Sequence, residues 1–173
     1  DLVDSTPLTA ALGDEVMREI MGRYFALWRE AVEEQGGHVQ KFIGDAVVGV
    51  FGMHRAHEDD AHRAVRAAIS VQPALARLAE EVRAEHGVGL RTRVGIDTGE
   101  VVLGSFDERG DGDVVVVGST MNRAARLQTA APPDGILLSA STARHVRGSF
   151  GLQAHGELDL KGVDRPVRTY LVH

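Results

Sequence analysis

The sequence predicts one α/β sandwich, in which helices pack against a central sheet. Apolar residues recur every three to four positions in some segments, which is typical of helices, and alternate or run together in others, which is typical of strands. The two kinds of segment follow one another along the 173 residues without an internal repeat or a linker. We therefore expect a single domain that covers residues 1–173.

The composition limits the classes of function. Of the residues, 43% are hydrophobic and the formal net charge is −6, which suits a globular domain and disfavours contact with nucleic acid. No apolar run reaches the ~18 residues that a membrane-spanning helix needs. The chain has no cysteine, which fits a reducing compartment. We expect a cytoplasmic domain without membrane contact, and a small anionic ligand bound by a few local cations stays compatible with this charge.

The first half of the chain predicts a helix, a hairpin and a second helical region. Apolar residues at every fourth position predict a helix over Asp14–Gly36, with its first residue as the N-cap. A hairpin follows, with strands at Val39–Ile43 and Ala46–Phe51. The segment His57–His86 has a helical pattern, and Pro73 is expected to kink or divide it.

The second half predicts alternating strands and helices. We expect strands at Leu90–Ile96, Val101–Leu103, Val114–Val117 and Ile136–Leu138, helices at Gly118–Ala131 and Ser141–Val146, and two terminal strands within Leu152–Val172, broken near Gly162. Because all four residues of Val114–Val117 are β-branched, this strand is expected to be buried. Residues 106–113 are polar and rich in glycine, which predicts a loop or a hairpin tip.

The first stretch that could carry chemistry is the hairpin Lys41–Asp45. Gly44 would supply the positive φ that a two-residue turn needs at its first central position. The turn would hold the carboxylate of Asp45 at a strand end, four residues after Lys41. An ordinary surface hairpin has the same local pattern, so these residues alone do not establish a site.

The second stretch is the helix that begins near Gly118. Asn122 and Arg126 are four residues apart and therefore project from one face of this helix. An amide beside a guanidinium can orient a sugar hydroxyl and neutralise a phosphate. A solvated helix face is the alternative interpretation. The chain has no Gly-x4-Gly-Lys-Ser/Thr motif, so a triphosphate would not be bound by a P-loop.

Three motifs together resemble the class III nucleotide cyclases. Asp1–Thr6, Lys41–Asp45 and Gly118–Arg126 occur in the order and spacing found in that family. Further similarity to its bacterial members lies at Gly99–Val102, Leu160–Gly162 and Thr169–Tyr170. The resemblance covers essentially the whole chain. It implies an α+β sandwich with a ferredoxin-like βαββαβ core and a mostly antiparallel sheet, and most of the first strand would lie upstream of Asp1.

The resemblance implies cyclisation of a nucleoside triphosphate with release of pyrophosphate. Asp1 and Asp45 match two aspartates that hold a pair of Mg²⁺ or Mn²⁺ ions, for which carboxylate oxygens are suitable ligands. One ion would activate the ribose 3′-hydroxyl and the other would bind the triphosphate. Asn122 matches the residue that orients the ribose. Arg126 matches the residue that stabilises charge on the α-phosphate in the transition state.

The position that reads the base implies ATP as the substrate. Lys41 matches a lysine that adenylate cyclases use to contact adenine, whereas guanylate cyclases usually carry glutamate there. The second base-reading position falls at Val115, where aspartate, threonine or serine is usual. Valine cannot accept a hydrogen bond from the adenine amino group, and the loss of a neutral hydrogen bond costs about 0.5 to 1.5 kcal/mol. We therefore expect cyclic AMP as the product, with weakened discrimination against GTP.

The resemblance also implies a homodimer with two equivalent sites. In the family, the metal aspartates of one subunit meet the lysine, asparagine and arginine of the other, which a twofold axis permits. Arg109 and Arg165 each lie within one residue of a family position that binds the outer phosphates. Asp4 stands where many members have glycine and adds a negative charge near the triphosphate.

Two other hypotheses come from these residues. Asp4, Val115 and the absence of most of the first strand from this sequence motivate a degenerate cyclase domain, which would bind nucleotide with relaxed base specificity and act as a regulatory module beside other domains. A diguanylate cyclase is disfavoured because the chain has no Gly-Gly-Asp/Glu-Glu-Phe motif. The histidines and acidic residues between positions 54 and 62 match no standard metal-ligand spacing, and an acidic helix start explains them.

Overall fold

The computed structural model describes residues 1–105, 114–159 and 166–173, with the backbone alone at positions 41–43, 105, 114 and 115. The helices in this part of the chain are α1 (Ser5–Leu12), α2 (Asp14–Glu34), α3 (Asp60–Ser70), α4 (Gln72–His86), α5 (Ser119–Ala130) and α6 (Ala140–Val146). The strands are β1 (His38–Ile43), β2 (Ala46–Val50), β3 (Val94–Ile96), β4 (Val102–Ser105), β5 (Val114–Val117), β6 (Ile136–Ser139), β7 (Leu152–Leu158) and β8 (Val167–Val172). This mixed α+β architecture confirms the predicted fold class.

The strands of the described part form three hydrogen-bonded groups. The largest is a sheet with the order β3-β6-β8-β7, in which β3 and β6 are parallel and the other pairs are antiparallel. The hairpin β1-β2 and the ribbon β4-β5 are two-stranded and antiparallel. The first residues of the chain run antiparallel to the segment just before β3, because Leu2 forms a bridge with Thr92. This pairing brings the N-terminal segment to the edge of the largest sheet.

The core lies on both sides of the largest sheet. The principal cluster packs α2 against α4 and the N-terminal segment, with Tyr24, Trp28, Leu75 and Leu78 among its buried residues. A second cluster lies beneath α3 and α6. A third and smaller one joins α5 to β6 through Leu127. No helix in the described ranges is long and apolar enough to cross a membrane.

Most predicted elements are present with shifted ends. The long helix α2, the hairpin, the division of the second helical region before Pro73 and the helix α5 are confirmed. The strand predicted at Leu90–Ile96 is regular only over Val94–Ile96, because the segment before it meets the N-terminal segment at an isolated bridge, Leu2 to Thr92, and not in a continuous ladder. The predictions for 106–113 and for the break near Gly162 concern residues outside the described ranges.

The start of the chain differs from the prediction. Helix α1 was not expected, and it begins after Asp4, which is exposed and has a φ of 55°. The N-cap of α2 is Gly13, so the assignment of Asp14 as the cap is wrong. Asp14 is instead the first helical residue, where its negative charge still suits the positive end of the helix dipole.

Val114–Val117 forms a strand, but the prediction that this strand is buried is wrong at its last residue, Val117. Val116 is buried, but Val117 is 42% exposed. The reason is that, among the described residues, β5 pairs with β4 alone in a two-stranded ribbon. On β4, Val102 is 63% exposed and Leu103 is 49% exposed, so the ribbon presents apolar side chains at the surface.

Helix α5 packs directly on β3 at Gly95, and this contact predicts a strong effect of a small substitution. A Cβ atom added at Gly95 would overlap the backbone nitrogen of Gln128 and the carbonyl oxygen of Ala124. Because backbone atoms of a packed helix cannot move aside alone, Gly95→Ala is expected to lower the free energy of unfolding by about 2 to 3 kcal/mol. Urea denaturation measures this change.

The matched control for this substitution is Gly22→Ala on α2. An added Cβ atom at Gly22 meets open space. The change is expected to stabilise the protein by about 0.5 to 1 kcal/mol, because alanine has the higher helix propensity. An unchanged unfolding midpoint for Gly95→Ala would contradict the close approach of α5 to β3.

Candidate active site

Asp1 is fixed by its backbone and by its carboxylate. Hydrogen bonds link the main chains of Asp1 and Arg93 in both directions, at 3.0 and 2.9 Å. The Asp1 Oδ2 atom accepts a hydrogen bond of 2.6 Å from Nε2 of Gln128 on α5. The first predicted metal ligand therefore has a defined orientation at the edge of the largest sheet.

Asp45 faces the same region. It follows Gly44 in the two-residue turn between β1 and β2, and the φ of 61° at Gly44 confirms the predicted turn. The Asp45 carboxylate lies within electrostatic range of the main-chain nitrogen of Asp1. Burial raises the pKa of the Tyr24 phenol, and Asp45 adds to this rise. The Asp45 carboxylate is thus within electrostatic range of both Asp1 and Tyr24.

The donor set around Asp1 and Asp45 fits divalent cations. Within residues 1–105, 114–159 and 166–173, no three or more His, Cys, Asp or Glu side chains come together in a way that could hold a metal ion. Two carboxylates supply hard oxygen donors of the kind that Mg²⁺ and Mn²⁺ prefer, and they leave the remaining coordination positions to water and phosphate oxygens. The two aspartates therefore fit cations that bind together with a nucleotide.

Asn122 and Arg126 lie on the outer face of α5. Both are exposed, and neither makes a side-chain hydrogen bond or an ion pair within the described part of the chain. An α-helix turns by about 100° per residue, so a rotation of about 200° relates Arg126 to Gln128. This rotation leaves the two side chains about 160° apart, so Arg126 points away from the carboxylate that Gln128 contacts in its own chain.

The strands that carry the two predicted base-contacting positions are neighbours. Nε2 of Gln40 on β1 donates a hydrogen bond of 3.4 Å to the carbonyl oxygen of Val116 on β5. Lys41 and Val115 are each adjacent in sequence to a residue of this contact, but their side chains lie outside the described part. Arg109 and Arg165, predicted for the outer phosphates, also fall outside the described residues. The roles of these four residues stay predictions.

Comparison with known proteins identifies the family. The model of the adenylate and guanylate cyclase catalytic domain matches residues 1–173. The chain belongs to this family. The match covers the three motifs Asp1–Thr6, Lys41–Asp45 and Gly118–Arg126. The chain is therefore a nucleotide cyclase domain of class III.

Solved cyclase structures share the fold of this cyclase domain. The adenylyl cyclase CyaB from P. aeruginosa superposes with a TM-score of 0.93 and 28% identity, over 100% of this chain and 90% of that one. The guanylyl cyclase Cya2 superposes with a TM-score of 0.92 and 27% identity, over 99% of this chain and 87% of that one. Because the two similar structures differ in their named activity, the comparison leaves the choice between ATP and GTP open.

Curated relatives are longer proteins. An uncharacterized protein of Mycobacterium tuberculosis (strain ATCC 25618 / H37Rv) is 34% identical over 100% of this chain, which spans 39% of its length. Adenylate cyclase 1 of Rhizobium meliloti (strain 1021) is 30% identical over 74% of this chain and 19% of its own length. The cyclase domain thus spans well under half of each of these relatives.

The structure shows an ion pair next to Asn122 that is not among the predicted site residues. Nε of Arg123 donates to Oδ2 of Asp97 at 2.6 Å, and the Asp97 side chain is only 1% exposed. The same guanidinium donates to the hydroxyl oxygens of Ser119 and Thr120. The pair ties the first turn of α5 to the end of β3 and so fixes the rotation of the helix that carries Asn122. The sequence signal for this ion pair is Asp97 itself, a charged residue that directly follows the apolar strand β3.

The acidic stretch before α3 is structural in the cyclase domain. The backbone nitrogen of His57 donates to Oδ2 of Asp60 at 2.7 Å. The Arg63 guanidinium forms ion pairs with Asp59 and Asp60. This network confirms the interpretation of the stretch as an acidic helix start.

Proposed function

We propose that the domain is an adenylate cyclase, which converts ATP to 3′,5′-cyclic AMP and pyrophosphate at sites shared between two copies of the chain. The observation that carries this proposal is the arrangement of α5. Its inner face reaches Asp1 through Gln128, whereas Asn122 and Arg126 lie on the exposed face. A site that uses both the carboxylates and the asparagine–arginine pair is therefore completed by a second chain, as twofold symmetry allows.

Each side chain then has a role set by its chemistry. Asp1 and Asp45 would hold two Mg²⁺ or Mn²⁺ ions, which when bound lower the pKa of the ribose 3′-hydroxyl and neutralise the triphosphate. The Asn122 amide of the second chain orients the ribose. The Arg126 guanidinium of that chain places a fixed positive charge where negative charge develops on the α-phosphate. Lys41 reads adenine.

Two further observations support this proposal. The apolar side chains exposed on the β4-β5 ribbon, Val102, Leu103 and Val117, form a surface of the kind that a protein partner covers. The catalytic core of a rhodopsin-guanylyl cyclase with converted specificity, solved in complex with ATPαS, superposes with a TM-score of 0.82 and 26% identity. We infer from this likeness that the present chain binds a nucleoside triphosphate.

The decisive experiment measures cyclic AMP made by the purified protein with Mg²⁺ or Mn²⁺. Turnover is expected from the wild type and not from Asp45→Ala. Asp14→Ala, which removes an exposed carboxylate at the start of α2, is the matched control and should keep its activity. No product at high protein concentration, or full activity in Asp45→Ala, would contradict the proposal. Nucleotide binding without turnover would favour the degenerate regulatory domain.

The base specificity is tested at Val115. Val115→Thr restores a hydrogen-bond acceptor, which is worth about 0.5 to 1.5 kcal/mol and corresponds to a roughly 2- to 12-fold rise in the ratio of kcat/KM for ATP over GTP. Val117→Thr makes the same change on the same strand and is expected to leave the ratio unchanged. An unchanged ratio in Val115→Thr would show that this residue does not contact the base.

A further inference from the structure

The hydrogen bond between Gln128 and Asp1 joins residues that are 127 positions apart in the chain. Because Gln128 donates through a neutral amide, it orients the Asp1 carboxylate without adding a positive charge that would compete with a cation. Lone pairs on both carboxylate oxygens stay available for a metal ion.

The donor and the acceptor of this hydrogen bond both pack against the segment Arg93–Gly95. The main chain of Asp1 is paired with Arg93 in both directions. Two residues later, Gly95 allows the backbone of Gln128 to lie directly on β3. The donor and the acceptor are therefore held in register by the backbone, so the carboxylate is oriented before any cation binds.

We infer that Gln128 is a positioning residue for the divalent cations, acting through Asp1. The inference rests on the proposed function, since it depends on Asp1 as a metal ligand. Partners that orient a metal ligand typically contribute about 10- to 100-fold to metal affinity. Loss of the Gln128 amide is expected to weaken cation binding by this factor, while kcat at saturating cation changes little.

The position of Gln128 on α5 separates this role from a structural one. Asn122 and Arg126 are on the other side of the same helix. If substitution at Gln128 only disturbed the packing of α5, those residues would shift, and kcat would fall at every cation concentration. A positioning role changes the dependence of the rate on cation concentration instead.

The test measures Mn²⁺ binding to the full chain by electron paramagnetic resonance of free Mn²⁺, in the presence of 3′-deoxy-ATP, which lacks the reacting hydroxyl. Gln128→Leu and Gln128→Met both remove the amide and keep much of the side-chain volume. Thr129→Val is the matched control, because Thr129 is exposed and its hydroxyl bonds only to the helix backbone at Ala125 in the described part. Thermal midpoints are measured for all variants.

The expected result is a dissociation constant for Mn²⁺ that is about 10- to 100-fold higher in both Gln128 variants and unchanged in Thr129→Val. Wild-type Mn²⁺ affinity in Asp45→Ala would overturn the proposed function itself. Weak binding in Asp45→Ala together with wild-type affinity in Gln128→Leu and Gln128→Met would overturn only the role of Gln128. A lowered thermal midpoint and kcat with unchanged Mn²⁺ affinity would also overturn it, by showing that Gln128 is structural.

Discussion

An equal mixture of Asp45→Ala and Arg126→Ala chains is expected to regain cyclase activity that neither variant has alone. If the site is shared as proposed, both sites in a pair of Asp45→Ala chains would lack a metal ligand. Both sites in a pair of Arg126→Ala chains would lack the cation proposed to face the α-phosphate. A mixed pair has one site that takes Asp45 from one chain and Arg126 from the other, so this site is complete.

The magnitudes follow from the chemistry and from the symmetry. Removing a group that stabilises transition-state charge costs about 100- to 1000-fold in kcat, which we expect for Arg126→Ala. Half of the pairs in an equal mixture are mixed, and each has one complete site out of two, so about a quarter of the wild-type activity should return. Cyclic AMP production after mixing and equilibration measures the recovery.

The matched control mixes Asp1→Ala with Asp45→Ala. Both carboxylates belong to the same side of the site, so every site in every pair lacks one of them and no activity should return. Recovery in this control would contradict the assignment of Asp1 and Asp45 to one chain's half of the site. Absence of recovery with Arg126→Ala would mean that the site is built within one chain.

Arg123→Met is expected to destabilise the domain by about 3 kcal/mol, because it leaves the carboxylate of Asp97 buried without its ion-pair partner. The Asp97 side chain is 1% exposed, and its Oδ1 atom has no hydrogen-bond partner within the described residues. The guanidinium of Arg123 is therefore the principal group that compensates the buried charge. Urea denaturation at 25 °C measures the free energy of unfolding.

Two further variants test the cause of this loss. Asp97→Asn combined with Arg123→Met removes both charges and should recover more than half of the lost stability, since no buried charge is left unpaired. Arg144→Met removes an exposed arginine on α6 and should change stability by less than about 0.5 kcal/mol. A loss in Arg123→Met no larger than that in Arg144→Met would show that the ion pair contributes little.

The elements that are predicted correctly from the sequence are those whose conformation is set by neighbouring residues in the chain. The apolar residues of α2 repeat with the helical period, and the Gly44 turn depends on the φ of one residue. Helix α1 was missed because it is short and has no fully buried residue, and its apolar side chains Leu8 and Leu12 pack only partly against the core. The exposure of Val117 could not be predicted, because it depends on which strands pair with β5.

The candidate site shows the same difference between features set by neighbouring residues and features set by contacts that are distant in sequence. Asp45, Asn122 and Arg126 could be proposed because each stands in a short motif. Gln128 and Arg123 could not, because their partners lie 127 and 26 positions away and only the folded chain brings them together. Arg123 also lies between Asn122 and Arg126 in sequence, where nothing local shows that it faces inward.

The exposed apolar ribbon β4-β5 bears on the kinetic order of the reaction. If this surface is covered only when two chains meet, the catalytic species is the pair and not the single chain. Below the dissociation constant of the pair, the rate then rises with the square of the chain concentration, and above it the rate becomes first order. A segment that holds two chains together raises their effective concentration. Such a segment would switch on catalysis without touching a single residue of the site.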